Sequence, residues 1–347
     1  EGRFPEAEVK RAGALGFFGL TIPQEYGGGG EGALSLAAVM EEMARADASF
    51  ALTLAAHLGL CAAQILLAGS EEQKARYLPL LARAEELGAW ALTEPGAGSD
   101  AAALRSRATP REGGWTLSGT KLFVSQGARF GVAVVMAKSD PARGRRGISA
   151  FLVEGSDPGR TSRLIGGKLG MRSSETAEMA FESCPLAAGR LLGREGGGYE
   201  DAMRVLDEGR IGIGALAAGV GSAALETALR HAKEREAFRG PIARLGAIRN
   251  MLADSATELE AARLLVWRAA ALKDAGREFR REASMAKLFA SEAALRAADR
   301  ALQIHGGYGY IDEYPVQRYY RDARLLTIGE GTSEVQRRII ARETLGL

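Results

Sequence analysis

Apolar residues at helical spacing dominate the first quarter of the chain. The stretch from Leu34 to Ala46 has few helix breakers and carries apolar residues three and four positions apart, while Phe50 to Ala68 is largely apolar. Ser70, followed by Glu71 and Glu72, indicates an N-cap with acidic residues in the first helical turn. These patterns predict an N-terminal helical domain over residues 1–88.

The pattern changes to short strand-like runs between residues 89 and 195. Runs rich in β-branched and aromatic residues are separated by Gly, Pro and Asp turn signals. The predicted strands are Trp115–Leu117, Lys121–Ser125, Val132–Lys138, Ile148–Val153 and Glu178–Phe181. No helical crossovers lie between them, which disfavours a parallel doubly wound sheet and predicts a small β-barrel or sandwich over residues 89–195.

Helical periodicity returns from residue 196 to the end. Leu245, Leu252, Leu259 and Val266 repeat every seven residues, which indicates the core seam of a bundle and carries no functional claim. The predicted fold class is therefore mainly α with a central β domain: an N-terminal helical domain, a small β-barrel or sandwich, and a C-terminal four-helix bundle over residues 196–347.

Composition excludes several classes of protein. A hydrophobic content of 46%, a charged content of 25% and a net charge of +2 describe a soluble globular chain without the clustered cations that nucleic acid requires. Cys61 and Cys184 are the only cysteines, so neither a disulfide framework nor a metal site is expected. No apolar run approaches the ~20 residues that span a bilayer, so no membrane span is expected.

Two segments in the predicted β domain are candidates for binding a ligand. Residues 90–100, Trp-Ala-Leu-Thr-Glu-Pro-Gly-Ala-Gly-Ser-Asp, form a loop whose backbone N–H groups can approach a heterocycle edge or a phosphate. An ordinary Gly/Pro turn explains this loop equally well. On the strand within residues 119–127, Phe123 and Ser125 share a face, and an aromatic ring beside a hydroxyl suits a planar cofactor.

Two further segments lie in the predicted bundle. Residues 303–310, Gln-Ile-His-Gly-Gly-Tyr-Gly-Tyr, indicate a helix that ends in a glycine cluster. Residues 328–336 form a loop into the last helix, in which Glu330 stands between two glycines and Ser333 with Gln336 predicts a capping box. An acid that complements the helix dipole is the plainer explanation of Glu330 on physical grounds alone.

Other motifs are rejected as sites. The run Gly-Ile-Gly-Ala-Leu-Ala at 212–217 fits the relaxed dinucleotide fingerprint, but it follows a helical pattern rather than a strand and indicates close helix packing. His57, His231 and His305 are not accompanied by a nucleophile motif, which disfavours a hydrolase triad.

The four segments, in this order and in this helix–barrel–helix frame, resemble the acyl-CoA dehydrogenase family. The resemblance runs from Leu-Thr-Ile-Pro-Gln-Glu-Tyr-Gly-Gly at 20–28 to Ile-Ala-Arg-Glu at 340–343, with Glu-Tyr-Pro at 313–315 and Arg-Asp-Ala at 321–323 between them. It implies FAD-dependent α,β-dehydrogenation of an acyl-CoA thioester to the trans-2-enoyl-CoA, with electrons passed to an electron-transferring flavoprotein. It also implies that a typical member carries a helix or two before residue 1.

The resemblance also implies roles for individual residues. Glu330 coincides with the usual catalytic base, whereas the position used in some branched-chain and long-chain members is Gly209, just before Arg210. The implied cofactor-binding residues are Trp90, Leu92, Thr93, Ser99, Phe123, Ser125, Arg235, Phe238, Gln303, Gly306, Gly307, Thr332 and Glu334. The implied substrate-binding residues are Ser99, Asp207, Arg210, Gly331 and Arg342.

Three positions depart from the family pattern. Phe123 stands where the family usually has Trp against the flavin, Gln126 replaces a more common Asn, and Gly246 replaces a Gln that often assists the adenine side. The acyl-tail region has Ala55 and Ala56 and offers no charge to a dicarboxylic tail, which favours a straight or lightly branched apolar acyl group over glutaryl.

The resemblance further implies a homo-oligomer, as a tetramer or a dimer, that acts in fatty acid β-oxidation. Its expected location is a bacterial cytoplasm, or the mitochondrial matrix if the source is eukaryotic. Two alternatives remain open. One is an acyl-CoA oxidase or a flavin monooxygenase of the same fold, and the other is a noncatalytic subunit that binds acyl-CoA or flavin.

Overall fold

The computed structural model describes residues 2–347, and the predicted helices of the N-terminal region are confirmed. The helices are α1 (Glu6–Ala14), α2 (Ala33–Ala46), α3 (Ala48–Ala56), α4 (Ala63–Ala68) and α5 (Glu71–Ala82). At the start of α5 the Ser70 hydroxyl accepts from the Gln73 N–H, and the Gln73 side chain accepts from the Ser70 N–H. This reciprocal pair confirms the predicted N-cap and satisfies two N–H groups that no helical carbonyl can reach.

The central region folds as one mixed sheet. Its strands are β1 (Gly88–Ala91), β2 (Arg107–Arg111), β3 (Gly114–Ser125), β4 (Val132–Lys138), β5 (Ile148–Glu154), β6 (Arg160–Leu164), β7 (Thr176–Ala187) and β8 (Leu191–Leu192). They are ordered β6-β7-β3-β2-β4-β5-β8, and β1 pairs in parallel with β4. Phe151 packs edge-on against Trp115 within a buried core that includes Leu117, Val135 and Met179. The apolar residues that alternate along these strands therefore face one shared core.

The C-terminal region is helical apart from the short pair β9 (Glu236–Ala237) and β10 (Gly240–Pro241). Its helices are α6 (Gly198–Glu234), α7 (Gly246–Asp274), α8 (Arg280–His305), α9 (Val316–Leu326) and α10 (Ser333–Leu345). On the predicted seam Leu259 and Val266 are fully buried, whereas Leu245 and Leu252 are half-buried. The predicted fold class, mainly α with a central β domain, is confirmed.

The rejected dinucleotide fingerprint at 212–217 lies inside α6, where Gly214, and Gly221 beyond the fingerprint, serve helix packing, whereas a Cβ added at Gly212 would meet nothing. A Cβ added at Gly214 would lie 3.0 Å from a methyl group of Val266, and one added at Gly221 would lie 2.3 Å from Leu259. Larger side chains at these positions would push α6 away from α7, so the glycines permit close approach of the two helices.

The chain divides into two compact units. The first contains the residues up to Glu31 together with Thr53–Lys168 and Arg172–Leu206, and the second contains Gly32–Leu52, Leu169–Met171 and Asp207–Leu347. The division into three domains at residues 88/89 and 195/196 stays a prediction.

Two helical segments are longer and more apolar than predicted from the sequence. Ala48–Ala68 and Gly198–Glu234 are long and apolar enough to cross a membrane by length and composition alone. Of the 18 most apolar consecutive residues, 67% are buried inside the chain in Ala48–Ala68 and 83% in Gly198–Glu234. Core helices pass the same test, and burial of this extent is typical of them.

His57 begins a π-helical turn, His57–Ala62, and is a structural residue of the first unit. Its Nδ1 accepts from the Gly88 N–H at 3.0 Å, and its Nε2 lies 3.1 Å from the Leu81 carbonyl oxygen. Because Nδ1 accepts a hydrogen bond and Nε2 faces a carbonyl oxygen, the ring must be neutral with its proton on Nε2. Burial, the main cause, lowers the pKa of His57 to about 4.

This burial predicts an acid-dependent loss of stability. Above pH 6.5 the ring is neutral in both the folded and the unfolded chain, but as pH falls from 6.5 towards 4 only the unfolded chain takes up the proton. We expect the free energy of unfolding to fall by about 2 kcal/mol between pH 7 and pH 5 on account of this group. Urea unfolding of the wild type and of His57→Gln at both pH values measures it, and equal pH dependence in the two proteins would contradict it.

Candidate active site

Glu330 lies in the loop between α9 and α10, in a backbone conformation that its neighbours hold in place. Its φ is +52° and that of Gly331 is +93°, so two successive residues are left-handed, which a non-glycine residue adopts at a cost of about 1 kcal/mol or more. The Gln336 amide donates to the carbonyl oxygens of both Glu330 and Gly331, at 3.2 and 3.0 Å. The Lys287 ammonium donates to the Gly331 carbonyl oxygen at 2.6 Å.

The predicted capping box at the start of α10 is wrong. The N-cap is Thr332, whose hydroxyl accepts from the Val335 N–H at 3.3 Å, and Ser333 is the first helical residue. The Gln336 amide reaches the turn before the helix instead of the N-cap N–H. Because the two left-handed residues reverse the chain, their carbonyl groups come within reach of Gln336.

The Glu330 side chain has the environment of a buried base. Its Oε2 is shielded from solvent and has no hydrogen-bond partner among residues 2–347. Burial, the main cause, raises the pKa of Glu330 to about 7, although the positive charges of Lys287 and Arg210 act in the opposite direction. A carboxylate with a pKa near the operating pH is well suited to accept a proton.

Arg210 connects Glu330 to a chain of alternating charges. Arg210 is 4% exposed and donates to one oxygen of Asp207, whose other oxygen accepts from Arg280 at 2.7 Å. Arg280 lies 3.6 Å from Glu343, which also pairs with Arg342 at 3.1 Å. The structure therefore links three of the predicted substrate-binding residues, Asp207, Arg210 and Arg342, in one network.

Polar atoms without partners mark the same region. In the second unit, as far as residues 2–347 show, the buried side-chain atoms without a hydrogen-bond partner are Arg210 Nε, Ser284 Oγ, Glu330 Oε2, Ser333 Oγ and Gln336 Oε1. Ser284 lies one helical turn before Lys287 on α8. Buried polar groups are rarely left unpaired, so this concentration indicates a place where a ligand or water completes their hydrogen bonds.

In the first unit, a buried ion pair holds the loop at residues 90–100. Lys121 is fully buried on β3, and its ammonium donates to the Glu94 carboxylate at 2.7 Å and to the Leu92 carbonyl oxygen at 3.1 Å. Glu94 also accepts from the N–H groups of Arg105 and Ser106. Burial would raise the pKa of Glu94, but Lys121 and these donors together hold it below its usual value.

The ion pair between Glu94 and Lys121 leaves the opposite side of the loop at residues 90–100 open to a ligand. A tight turn runs from Glu94 to Ala97, and a Cβ added at Gly96 or Gly98 would meet no atom within 4 Å. Ser99, which follows, is exposed. The free backbone that the sequence suggested for this loop is therefore present.

Phe123 is held in an unfavourable position beside this loop. It lies at a bulge in β3, has a φ of +57° and leaves 63% of its surface exposed, with Ser125 half-buried two residues later. The Leu122 N–H donates to the Thr93 carbonyl oxygen at 2.8 Å, which joins the bulge to the loop. An exposed ring in strained backbone is typical of a binding position.

Trp90 faces the protein interior with its polar edge. Its indole N–H donates to the Gln64 side chain at 2.5 Å, and its ring packs on a buried cluster that includes Ala56, Leu60 and Val205. Leu92 is buried and contributes its carbonyl oxygen to Lys121.

In the second unit, the ends of α6 and α8 bring together the other predicted cofactor residues. His231 on α6 stacks on His305 on α8 with ring centroids 4.1 Å apart, and the Arg235 guanidinium lies 5.5 Å from the Tyr308 ring. The predicted residues at these helix ends are Arg235, Phe238, Gln303, Gly306 and Gly307, all of them exposed. Thr332 and Glu334 lie apart from this group, at the start of α10.

These features fit FAD. An exposed phenyl ring beside a hydroxyl suits a flat heterocycle, and glycines whose added Cβ atoms would meet nothing, at 96, 98, 306 and 307, leave backbone free for phosphate oxygens. Arg235 supplies an exposed cation of the kind that phosphates prefer.

Neither buried lysine was predicted from the sequence to have a role. Lys287 stands among the small buried residues Ala283, Ala286 and Ala290 of α8, and Lys121 lies on β3 between the half-buried residues Thr120 and Leu122. A lone lysine on an apolar face is a usable signal, since lysine is almost never fully buried unless its ammonium has a partner.

Comparisons with known proteins agree along the whole chain. Family models described as the N-terminal, middle and C-terminal domains of acyl-CoA dehydrogenase match residues 1–85, 89–184 and 196–345. The human mitochondrial short-chain specific acyl-CoA dehydrogenase is 44% identical over 99% of this chain and 84% of its own length.

Two solved structures are similar in both fold and sequence. Butyryl-CoA dehydrogenase from Megasphaera elsdenii has a TM-score of 0.97 and 40% identity, over 99% of this chain and 91% of its own. A chain from work on the electron transferring flavoprotein of Acidaminococcus fermentans has a TM-score of 0.98 and 42% identity, over 99% of this chain and 90% of its own.

The Glu94–Lys121 pair predicts a strong effect of removing one partner. Lys121→Met leaves Glu94 buried without its cation, and we expect a loss of about 3–5 kcal/mol in the free energy of unfolding together with weaker retention of a bound flavin. The double variant Lys121→Met, Glu94→Gln removes the uncompensated charge and should recover part of that loss. Urea unfolding measures both variants, and a Lys121→Met protein within about 1 kcal/mol of the wild type would contradict the assignment.

Proposed function

The chain belongs to the acyl-CoA dehydrogenase family, and on that premise we propose that Glu330 is the base that removes the α-proton of its substrate. The enzyme catalyses the FAD-dependent α,β-dehydrogenation of an acyl-CoA thioester to the trans-2-enoyl-CoA, and the electrons pass to an electron-transferring flavoprotein. Bound FAD supplies the acceptor for the hydride from the β-carbon.

One observation carries the assignment of the base. Glu330 Oε2 is buried, has no partner, and belongs to a carboxyl group whose pKa is about 7. A carboxylate that is desolvated but not neutralised by a tight ion pair accepts a proton readily at neutral pH. A carboxylate that only complemented the helix dipole would lie in solvent at the helix end.

The backbone of Glu330 provides a second function in this proposal. Its N–H donates to no acceptor within residues 2–347, so it is free to hydrogen-bond the thioester carbonyl oxygen. A donor fixed in advance stabilises the negative charge that develops on that oxygen as the α-proton leaves. Arg210 and Lys287 add positive charge near the same carboxylate.

We assign cofactor binding to both units. In the first unit the loop at residues 90–99, with Thr93 and Ser99, and the bulge with Phe123 and Ser125 offer hydroxyls, free backbone and an exposed ring. In the second unit the group at the ends of α6 and α8 offers Arg235 and the open glycines. The open backbone and exposed rings support this assignment for the cofactor residues that the resemblance implied.

We propose a short, straight or lightly branched apolar acyl group as the substrate tail. Ala55, Ala56 and Leu58 are buried and uncharged, so they offer no partner to a second carboxylate. The names of the human short-chain and the Megasphaera butyryl-CoA relatives support a short acyl group.

We further propose a homotetramer in a reducing interior compartment, either a bacterial cytoplasm or the mitochondrial matrix. Phe238 and Tyr310 are 87% and 86% exposed, and aromatic surface of this kind is typical of contacts between subunits. Cys61 and Cys184 are both free and buried, as is usual where thiols stay reduced.

Replacing the base tests the proposal. Glu330→Gln keeps the size and shape of the side chain but cannot take a proton, so we expect normal FAD content and a fall of about 10²–10⁴-fold in the rate of flavin reduction by acyl-CoA. Anaerobic stopped-flow absorbance measures that rate. Reduction at the wild-type rate would refute the role of Glu330.

A panel of thioesters tests the acyl group. We expect butyryl-CoA to bleach the flavin faster than palmitoyl-CoA, and glutaryl-CoA to bleach it least, because the buried alanines give no counter-charge to a second carboxylate. Fastest bleaching by glutaryl-CoA would contradict the substrate class. Peroxide formation under air that keeps pace with turnover would contradict the electron-transferring flavoprotein as acceptor.

A further inference from the structure

Lys287 is a buried cation whose only part in the reaction described above is the positive charge that it adds near Glu330. Its side chain is fully inaccessible to solvent on α8, among alanines. Moving an ammonium group out of water costs several kcal/mol unless it gains partners in the interior. Its partner is the Gly331 carbonyl oxygen, at 2.6 Å.

The contact is made to the backbone beside the base and not to the base itself. Among the described residues the Lys287 ammonium bonds the Gly331 carbonyl and forms no salt bridge with Glu330, yet the lysine charge acts on the Glu330 carboxyl group. A direct ion pair would hold Glu330 in its charged form and make it a poor proton acceptor. The ammonium instead fixes the turn and leaves Glu330 Oε2 without a partner.

The turn requires support from outside. Glu330 and Gly331 are both left-handed, and such a pair persists only where the surroundings hold it. Gln336 holds it from α10 through both carbonyl oxygens, and Lys287 holds it from α8 through the Gly331 carbonyl. The bond from a charged donor is the shorter of the two on Gly331, as expected of a charge-assisted hydrogen bond.

We propose that Lys287 is a positioning residue for the base: its buried ammonium fixes the Glu330–Gly331 turn, so that the Glu330 carboxylate and the Glu330 N–H are presented together to one thioester. This inference rests on the proposed role of Glu330. It adds to that role the group on α8 that holds the base in its working conformation.

The charges around the turn determine how a variant will titrate. Arg210 on α6 and Lys287 on α8 both act to lower the pKa of Glu330 against the larger effect of burial. Glu292 on α8 and Glu334 on α10 act on Lys287 itself, as does Arg210. Removing the Lys287 charge therefore leaves burial opposed by Arg210 alone, and the pKa of Glu330 rises.

Two substitutions separate the effect of the charge from that of the hydrogen bond. Lys287→Met removes both, whereas Lys287→Gln keeps an N–H donor for the Gly331 carbonyl without the charge. Lys273→Met is the matched control, because Lys273 is a half-buried lysine of the same unit whose ammonium pairs with Glu208 at 2.7 Å. FAD content, the Kd for butyryl-CoA and the limiting rate of flavin reduction are measured from pH 6 to pH 9.

We expect Lys287→Met to retain FAD and to lower the limiting rate by about 10–100-fold, the effect of displacing a reacting group by roughly 1 Å. Lys287→Gln should lose less rate. In both variants the pH midpoint of the reduction rate should lie above that of the wild type, while the Kd changes little. Lys273→Met should match the wild type in rate and midpoint.

The results that would overturn the inference differ from those that would overturn the role of Glu330. The positioning role alone would be contradicted if Lys287→Met and Lys287→Gln kept the wild-type rate and pH midpoint while Glu330→Gln was inactive. If Lys287→Met and Lys287→Gln lose rate only in proportion to their loss of FAD, and their pH midpoint is unchanged, then Lys287 serves stability only. That result would also overturn the positioning role. An active Glu330→Gln would overturn the proposed base, whatever Lys287 does.

Discussion

The proposed chemistry depends on one constraint, the burial of the Glu330 carboxylate beside a left-handed turn that Gln336 and Lys287 hold. Burial raises the pKa of Glu330 to about 7, and within residues 2–347 its Oε2 accepts no hydrogen bond that would offset that desolvation. Two left-handed residues in succession point this side chain inward, and Gln336 and Lys287 hold them. The rest of the second unit supplies the helices on which these groups stand, since α8 carries Lys287, α10 carries Gln336 and α6 carries Arg210.

The first unit uses a similar arrangement for a different purpose. Lys121, also fully buried, holds the loop at residues 90–100, to which we assign flavin binding, through the Leu92 carbonyl and the Glu94 carboxylate. Both buried lysines have a pKa lowered to about 8, chiefly by burial, so both remain largely charged at neutral pH. In each unit a cation inside the protein fixes a loop whose open side is left for a ligand. Rigid support of this kind is needed because a loop alone positions reacting groups poorly.

The sequence predicted the elements well because their signals are local. The α5 cap at Ser70 and the strand at Val132–Lys138 each follow from a few neighbouring residues. The site was harder to predict from physics. Nothing next to Glu330 in the chain reveals its burial, and the charges that act on it, Arg210 and Lys287, lie on α6 and α8, so its role was inferred from the family resemblance. Lys287 was missed because its partner lies more than forty residues away, and the capping box failed because the left-handed turn moved the N-cap to Thr332.

A direct titration of the base tests the central claim. The side-chain carboxyl carbons of glutamate, labelled with ¹³C, report ionisation by NMR, and the signal that is missing from the Glu330→Gln spectrum identifies Glu330. The account predicts that this signal titrates near pH 7 in the free enzyme. A midpoint close to the ordinary value of 4.5 would mean that the carboxylate is solvated, and would contradict the account.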